Sequence, residues 1–182
     1  MAVREKIFFS NQIYFITFTI LGWKHIFTDD KYIDLVYKWF DYMRDNYQNL
    51  VYGYVIMPNH VHLILFVSKK SPSVSKLIQN AKRFMAYQIV DLLEKEGKFD
   101  LLKFFKKNAK TKKGSKHKIF EDRYNSKIIQ SPAFFLEKLN YIHNNPCTKE
   151  WNLADNPEKY EHSSVLNYFK GKGVYNIEIM ET

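Results

Sequence analysis

Two histidines separated by one residue, His60 and His62, begin an apolar run that is typical of a β-strand. Because side chains alternate along a strand, both imidazoles point to the same face, about 7 Å apart at the backbone. Two neutral imidazoles at this spacing can bind one divalent cation. The pair could also be the polar face of a half-buried sheet, and a metal site would need a further protein ligand, such as an oxygen.

A second candidate feature is a helix that begins at Ser131-Pro132, where the serine can cap and the proline suits the first helical position. Its buried face is predicted from apolar residues at i, i+4 and i+7, which are Phe135, Leu139 and Ile142. Tyr141 and Asn145 are four residues apart on another side of this helix and can lie next to each other. A phenol beside an amide oxygen suits a metal-assisted attack on a phosphodiester, in which Tyr141 forms a covalent phosphotyrosine.

The third metal ligand stays open at this point. Pro146 disfavours helical geometry in the residue before it, so the helix is predicted to end near Asn145. Asn144 is an alternative ligand and His143 is another. Lys138 lies near enough in sequence to favour the phenolate form of Tyr141.

The remaining elements follow from apolar periodicity and turn residues. The pattern predicts strands over 14–20, 51–57 and 60–67 and within 118–130, with helices over 31–47 and from Ser71-Pro72-Ser73 to about Lys95. This order is the split βαβ pattern of a ferredoxin-like α+β domain, an antiparallel sheet with helices on one face, plus the added helix at Ser131. RNA-recognition domains share the order, so the order alone does not select a function.

The composition favours one soluble domain over residues 1–182 with a polyanionic partner. Lysine and arginine total 28 against 19 acidic residues, for a net charge of +9, which indicates nucleic acid or an anionic membrane. No apolar run is long enough for a membrane span, so none is expected. Cys147 is the single cysteine, which excludes a zinc-thiolate cluster and an internal disulfide, and a cytoplasmic location is expected.

Several basic residues are candidates for contacts with DNA phosphates. Residues 103–118 contain eight lysines and are predicted to form an exposed basic loop. The candidate contacts are Lys82, Arg83, Lys107, Lys112, Lys113 and Arg123. The three tryptophans are predicted to lie in the core rather than to stack on bases; they are Trp23, Trp39 and Trp151.

Two segments together resemble a known family. YGYVIMPNHVHLIL, residues 52–65, is similar to the HUH motif (histidine, hydrophobic, histidine) of single-tyrosine transposases. LNYIHNNP, residues 139–146, resembles the nucleophile helix of the same superfamily, above all of the REP-associated tyrosine transposases. The similarity spans about residues 12–170 and includes PEKYEHSSVLNYF, residues 157–169.

The resemblance implies an HUH-type ferredoxin-like fold, a bound Mg²⁺ or Mn²⁺, and cleavage and rejoining of single-stranded DNA at hairpin-bearing sites. By position, His60 and His62 match the histidine ligands, Tyr141 the nucleophile, and Asn145 the polar residue that completes the metal site. It also implies a C-terminal extension over 147–182, a nucleoid-associated protein, and a homodimer as one alternative for its assembly. A relative that binds hairpins without cutting them is the alternative function.

The sequence departs from the REP-associated branch at three places. NQIYFITF stands where that branch often has Gly-Thr-Trp-Tyr, NPCTKEWN follows the tyrosine helix, and His162 stands where relatives tend to have tryptophan. The identity of the DNA hairpin is therefore not implied.

Overall fold

The computed structural model describes residues 8–109 and 116–180. Its strands and helices follow the predicted order, with one additional helix in the middle of the chain and a short one near its end. They are β1 (Gln12–Thr19), α1 (Asp30–Tyr47), β2 (Leu50–Met57), β3 (His60–Val67), α2 (Val74–Lys95), α3 (Phe99–Lys107), β4 (Asn125–Ile128), α4 (Pro132–Asn144) and α5 (Val165–Lys170). Asp29, Ser73 and Ser131 cap α1, α2 and α4, each accepting a hydrogen bond from a backbone N–H of the first turn.

The four strands form one antiparallel sheet in the order β2-β3-β1-β4. Pro58 and Asn59 form a tight turn between β2 and β3, because Met57 pairs directly with His60. The α+β, ferredoxin-like prediction is thus confirmed.

Different helices pack against the two faces of the sheet. On one face, α1 and α2 enclose the main core, which includes Val61, Leu63 and Leu65 of β3. On the opposite face, α4 packs Phe135, Leu139 and Ile142 against a smaller cluster of β2 and β3 side chains. Helices α1 and α2 therefore share one face, as predicted, and the added helix α4 covers the other.

Helix α4 approaches the sheet closely at Gly53 of β2. A Cβ atom at position 53 would lie 2.9 Å from the Leu139 Cδ1 atom, which is nearer than a normal contact. The missing side chain therefore leaves room for Leu139 to pack on β2, and Leu139 belongs to the helix that carries Tyr141.

The predicted basic loop over 103–118 is wrong for residues 103–107, which form the second half of α3. Leu102 and Phe105 are three residues apart and buried, so they give this helix an apolar face that packs on α2. The prediction of a loop relied on the many lysines of residues 103–118, and those within the helix lie on its outer side and gave no indication of the apolar face. Lys112 and Lys113 lie outside the described residues.

The C-terminal segment covers the outer edge of β2. The Ile56 N–H donates to the His162 carbonyl, the Ser164 N–H to the Tyr54 carbonyl, and the Glu178 N–H to the Val51 carbonyl. Tyr160 and Tyr168 add hydroxyl hydrogen bonds to carbonyls of the same strand. This part of the chain therefore completes the sheet edge. Within 8–109 and 116–180, no helix has the length and apolar character needed to cross a bilayer.

His143 of α4 is buried and hydrogen-bonds through Nε2 to the Ser164 hydroxyl, 2.9 Å away. Burial lowers the pKa of His143 to about 4, whereas an unfolded histidine titrates near ~6.5. Below that pH the unfolded chain binds a proton that the folded chain does not, so stability is lost as the pH falls towards 4.

We expect His143 alone to reduce the free energy of unfolding by about 2 kcal/mol between pH 7 and pH 5. Urea unfolding at both pH values should show a smaller loss in His143→Gln than in the wild type. Equal losses in the two proteins would contradict this assignment of the acid sensitivity.

Candidate metal and nucleophile site

His60 and His62 point to the same face of β3, the face that α4 covers. Their Nε2 atoms lie 3.1 Å apart, and their rings meet edge to face with centroids 4.6 Å apart. Both side chains are buried. The predicted convergence of the two imidazoles is therefore present in the structure.

The other ring nitrogen of each histidine has its own partner. The Nδ1 atom of His62 lies 2.7 Å from the Thr17 hydroxyl, which is opposite it on β1. The Nδ1 atom of His60 lies 2.7 Å from the Asn59 Oδ1 atom, while Asn59 donates through Nδ2 to the Trp23 carbonyl. Since an amide oxygen only accepts, His60 must donate from Nδ1, which leaves its Nε2 lone pair available for a metal.

Burial also selects the neutral form of both imidazoles. It lowers the pKa of His60 to about 4. Burial and, to a smaller extent, repulsion from His60 lower the pKa of His62 to about 3. At neutral pH both side chains are therefore in the form that ligates metals.

The spacing of the two Nε2 atoms fits a divalent cation. Octahedral Mg²⁺ has ligands at about 2.0–2.1 Å, so neighbouring ligands are about 3 Å apart. The observed 3.1 Å matches that separation. Among the residues that the structure describes, no group of three His, Cys, Asp or Glu side chains could complete a metal site, so the remaining protein ligand would have to be of another type.

Asn145 is suited to be that ligand. Its Oδ1 atom is buried and has no hydrogen-bond partner, which is costly unless another group binds it. Helix α4 ends at Asn144, as predicted, and the backbone at Asn145 is still right-handed helical (φ −54°, ψ −45°) despite the following proline. Asn145 therefore stays one helical turn beyond Tyr141, on the same side of the chain.

The alternative ligands use their side chains elsewhere. His143 hydrogen-bonds to Ser164 and packs against Tyr168 of the C-terminal segment. Asn144 is exposed and donates to the Asn140 carbonyl on its own helix. The arrangement therefore favours Asn145 over both.

Tyr141 lies at the open side of the histidine pair. Its hydroxyl is 3.5 Å from the Nε2 atom of His62, and its ring meets the His62 ring edge to face. Phe15 of β1 stacks on His62 and also contacts the Tyr141 ring. Because 47% of Tyr141 remains exposed, a large substrate can reach its hydroxyl.

Lys138, one turn before Tyr141, brings a positive charge to the same place. Its Nζ atom lies 5.9 Å from the centroid of the Tyr141 ring and also lies over the rings of Phe15 and Phe134. The side chain is only 17% exposed and forms an ion pair with Glu137. The ammonium group is therefore held beside the phenol.

The predicted DNA contacts are distributed unevenly. Lys82 donates to the carbonyls of Glu121 and Arg123, and burial lowers its pKa to about 8, so its ammonium group serves the fold more than a phosphate. Arg83 is exposed on α2, the layer opposite the histidines. Lys107 and Arg123 are exposed at the end of α3 and before β4.

Sequence reasoning missed several residues around the histidine pair. Thr17, Asn59 and Phe15 all contact the imidazoles. Lys127 and Asn125 of β4 pair with Phe15 and Thr17 and therefore share the histidine face. The register of β1 against its neighbours is needed to identify the residues of β1 and β4, because nothing in their types or spacing is distinctive, whereas Asn59 directly precedes His60 in the sequence.

The comparisons with known proteins support the fold. No protein-family model matches the sequence, and no curated protein matches it. A solved structure of a REP-associated tyrosine transposase bound to a REP hairpin aligns with a TM-score of 0.65 at 14% identity, covering 100% of this chain and 93% of that one. A proposed transposase from Deinococcus radiodurans R1 aligns with a TM-score of 0.47 at 16% identity, covering 79% of this chain and 96% of that one. The chain therefore shares its fold with the REP-associated tyrosine transposase, and the resemblance found in the sequence is confirmed at the level of the fold.

Proposed function

We propose that this chain is a metal-dependent single-stranded DNA transposase or endonuclease that cleaves and rejoins DNA through a covalent phosphotyrosine. The proximity of the Tyr141 hydroxyl to two converging neutral imidazoles carries the proposal. The net charge of +9 is consistent with a DNA substrate. The comparison structure is bound to a REP hairpin, which supports hairpin-bearing DNA as the substrate class.

His60, His62 and Asn145 would hold Mg²⁺ or Mn²⁺. When bound, the cation would supply Lewis-acid stabilisation of the charge that grows on the phosphate oxygens. Thr17 and Asn59 keep the two imidazoles oriented through their Nδ1 atoms, so the ligating nitrogens need no reorganisation.

Tyr141 supplies the nucleophile. Its oxygen forms a bond to phosphorus as the bond between phosphorus and a DNA oxygen breaks. The phenol loses a proton and the departing DNA oxygen gains one, so charge and atoms balance. The phosphotyrosine retains the free energy of the broken bond, so another DNA hydroxyl can reverse the reaction and join new ends without ATP.

The test is a covalent-adduct assay with labelled hairpin-flanked single strands and Mg²⁺ or Mn²⁺, resolved on a denaturing gel. We expect a band in which protein and DNA migrate together. This band should not form when EDTA is present from the start of the reaction. Tight hairpin binding without an adduct on a wide set of hairpins would instead favour the non-cleaving, DNA-binding alternative.

Lys138 should accelerate the attack by stabilising the negative charge on the Tyr141 oxygen. The ammonium group lies 5.9 Å from the centroid of the Tyr141 ring, and a unit charge at about that distance contributes roughly 1–3 kcal/mol near a protein surface. We therefore expect Lys138→Met to slow adduct formation by about tenfold to a hundredfold, and Lys138→Arg to restore most of the rate. Single-turnover kinetics would measure both, and a Lys138→Met rate equal to that of the wild type would contradict the assignment.

A further inference from the structure

Trp23 does not lie in the core, contrary to the expectation from its type. It is 61% exposed, whereas Trp39 is buried with 3% exposed. The centroid of its indole lies 6.2 Å from that of His60 in an edge-to-face arrangement. An apolar ring of this size is thus presented to solvent directly beside a candidate metal ligand, where a substrate would bind.

The backbone that carries Trp23 is strained. Trp23 has a φ of 56° and follows Gly22, whose φ is 61°. A left-handed conformation is unusual for a bulky side chain and persists only where the surroundings impose it. Such strain is found mainly at functional sites, where it fixes the position of a group.

The surroundings of this turn do impose its conformation. The Trp23 carbonyl accepts from Asn59 Nδ2, and the Trp23 N–H donates to the Ile20 carbonyl. The Gly22 N–H donates to the Glu121 carboxylate, and Phe104 lies so close that a Cβ on Gly22 would be 2.7 Å from its ring. The indole is therefore exposed, but hydrogen bonds hold the backbone that carries it.

Asn59 links the Trp23 backbone to the candidate metal site. The same amide that accepts from His60 Nδ1 donates to the Trp23 carbonyl. Consequently the backbone that carries the Trp23 ring is fixed relative to the His60 imidazole. Trp151 also contacts the His60 ring, with centroids 5.4 Å apart.

From this geometry we propose that Trp23 is a stacking platform for an unpaired nucleobase flanking the phosphate that Tyr141 attacks. The inference rests on the proposed function and adds a substrate subsite to it. Aromatic rings bind bases of single strands through their faces, with little sequence preference. A ring carried by a fixed backbone favours affinity, because less conformational freedom is lost on binding. Trp151 would bound the same subsite.

The experiment is a binding cycle with the full chain carrying Tyr141→Phe, so that cleavage does not interfere. Fluorescently labelled hairpin-flanked single strands are compared with the same strands carrying one abasic site, moved along the flank one nucleotide at a time. The variants are Trp23→Ala, Trp23→Phe and, as a matched control, Phe169→Ala, because Phe169 is also an exposed aromatic residue, 69% exposed on α5.

We expect Trp23→Ala to weaken binding of the intact strand about tenfold, and Trp23→Phe to restore most of the affinity. One abasic position should weaken binding to the parent protein by a similar factor but have no effect on Trp23→Ala, because the stacked pair is then already lost. Phe169→Ala should behave as the parent. Circular dichroism and thermal unfolding should be unchanged, since the indole is exposed.

The contrary result is an abasic site that, at every position, weakens binding to Trp23→Ala as much as it weakens binding to the parent. That result would overturn the stacking site. The proposed function is judged separately, by the adduct that the chain with Tyr141 intact forms. Absence of that adduct counts against the chemistry, whereas the cycle reports stacking whether or not the strand is cut.

Discussion

Replacing Tyr141 with phenylalanine should abolish the covalent protein–DNA adduct, with a loss of at least about a thousandfold, as for removal of other covalent nucleophiles. The substitution keeps the ring that contacts His62 and Phe15 and removes only the hydroxyl. Because that side chain is 47% exposed, neither the fold nor DNA affinity should change appreciably. The measurements are the denaturing-gel adduct and, in parallel, binding to the same labelled strand.

Tyr87→Phe is a suitable control, since Tyr87 is 72% exposed and lies on α2, in the layer opposite the histidines. It should form as much adduct as the wild type. If Tyr141→Phe forms wild-type amounts of adduct, another residue is the nucleophile and the proposed reaction at this site is wrong.

The second large effect is expected for the histidine pair. His62→Gln removes one of two converging Nε2 atoms, and His60→Gln removes the other. Each should lower metal-supported adduct formation at least about a hundredfold, because changes even to residues that only orient ligands cost about 10- to 100-fold. Each substitution should also weaken the binding of Mn²⁺ to the same extent. Titration calorimetry without DNA measures this affinity and gives a readout that is independent of catalysis.

His25→Gln provides the matched control, because His25 is exposed and contacts Trp151 rather than either imidazole of the pair. It should retain metal binding and adduct formation. Unchanged Mn²⁺ affinity in both His60→Gln and His62→Gln would refute the metal site, whatever the effect on cleavage.

Much of this site could be predicted from local patterns. Alternation along a strand placed His60 and His62 on one face, and helical spacing separated Phe135, Leu139 and Ile142 from Tyr141. Both patterns depend only on neighbours in sequence. They could not show that the Tyr141 hydroxyl meets His62, 79 positions earlier, because that contact depends on which face of the sheet α4 covers.

Other features were missed for physical reasons. Gly53 sets the approach of α4, yet a lone glycine in a strand gives no indication of its partner. Trp23 was assigned to the core by its residue type, whereas tertiary hydrogen bonds hold its backbone in a left-handed turn. Asn145 likewise keeps helical φ and ψ angles before Pro146, against the usual steric preference of a residue that precedes proline.

The C-terminal segment has a consequence for how copies of this chain can meet. Strands at the end of a sheet present unpaired amides and carbonyls that recruit strands from other molecules. Backbone groups of Val51, Tyr54 and Ile56 are already taken up by Glu178, Ser164 and His162 of the same molecule. Merging of two sheets into one continuous ribbon is therefore blocked along β2, so a dimer would have to form through side chains or another part of the surface.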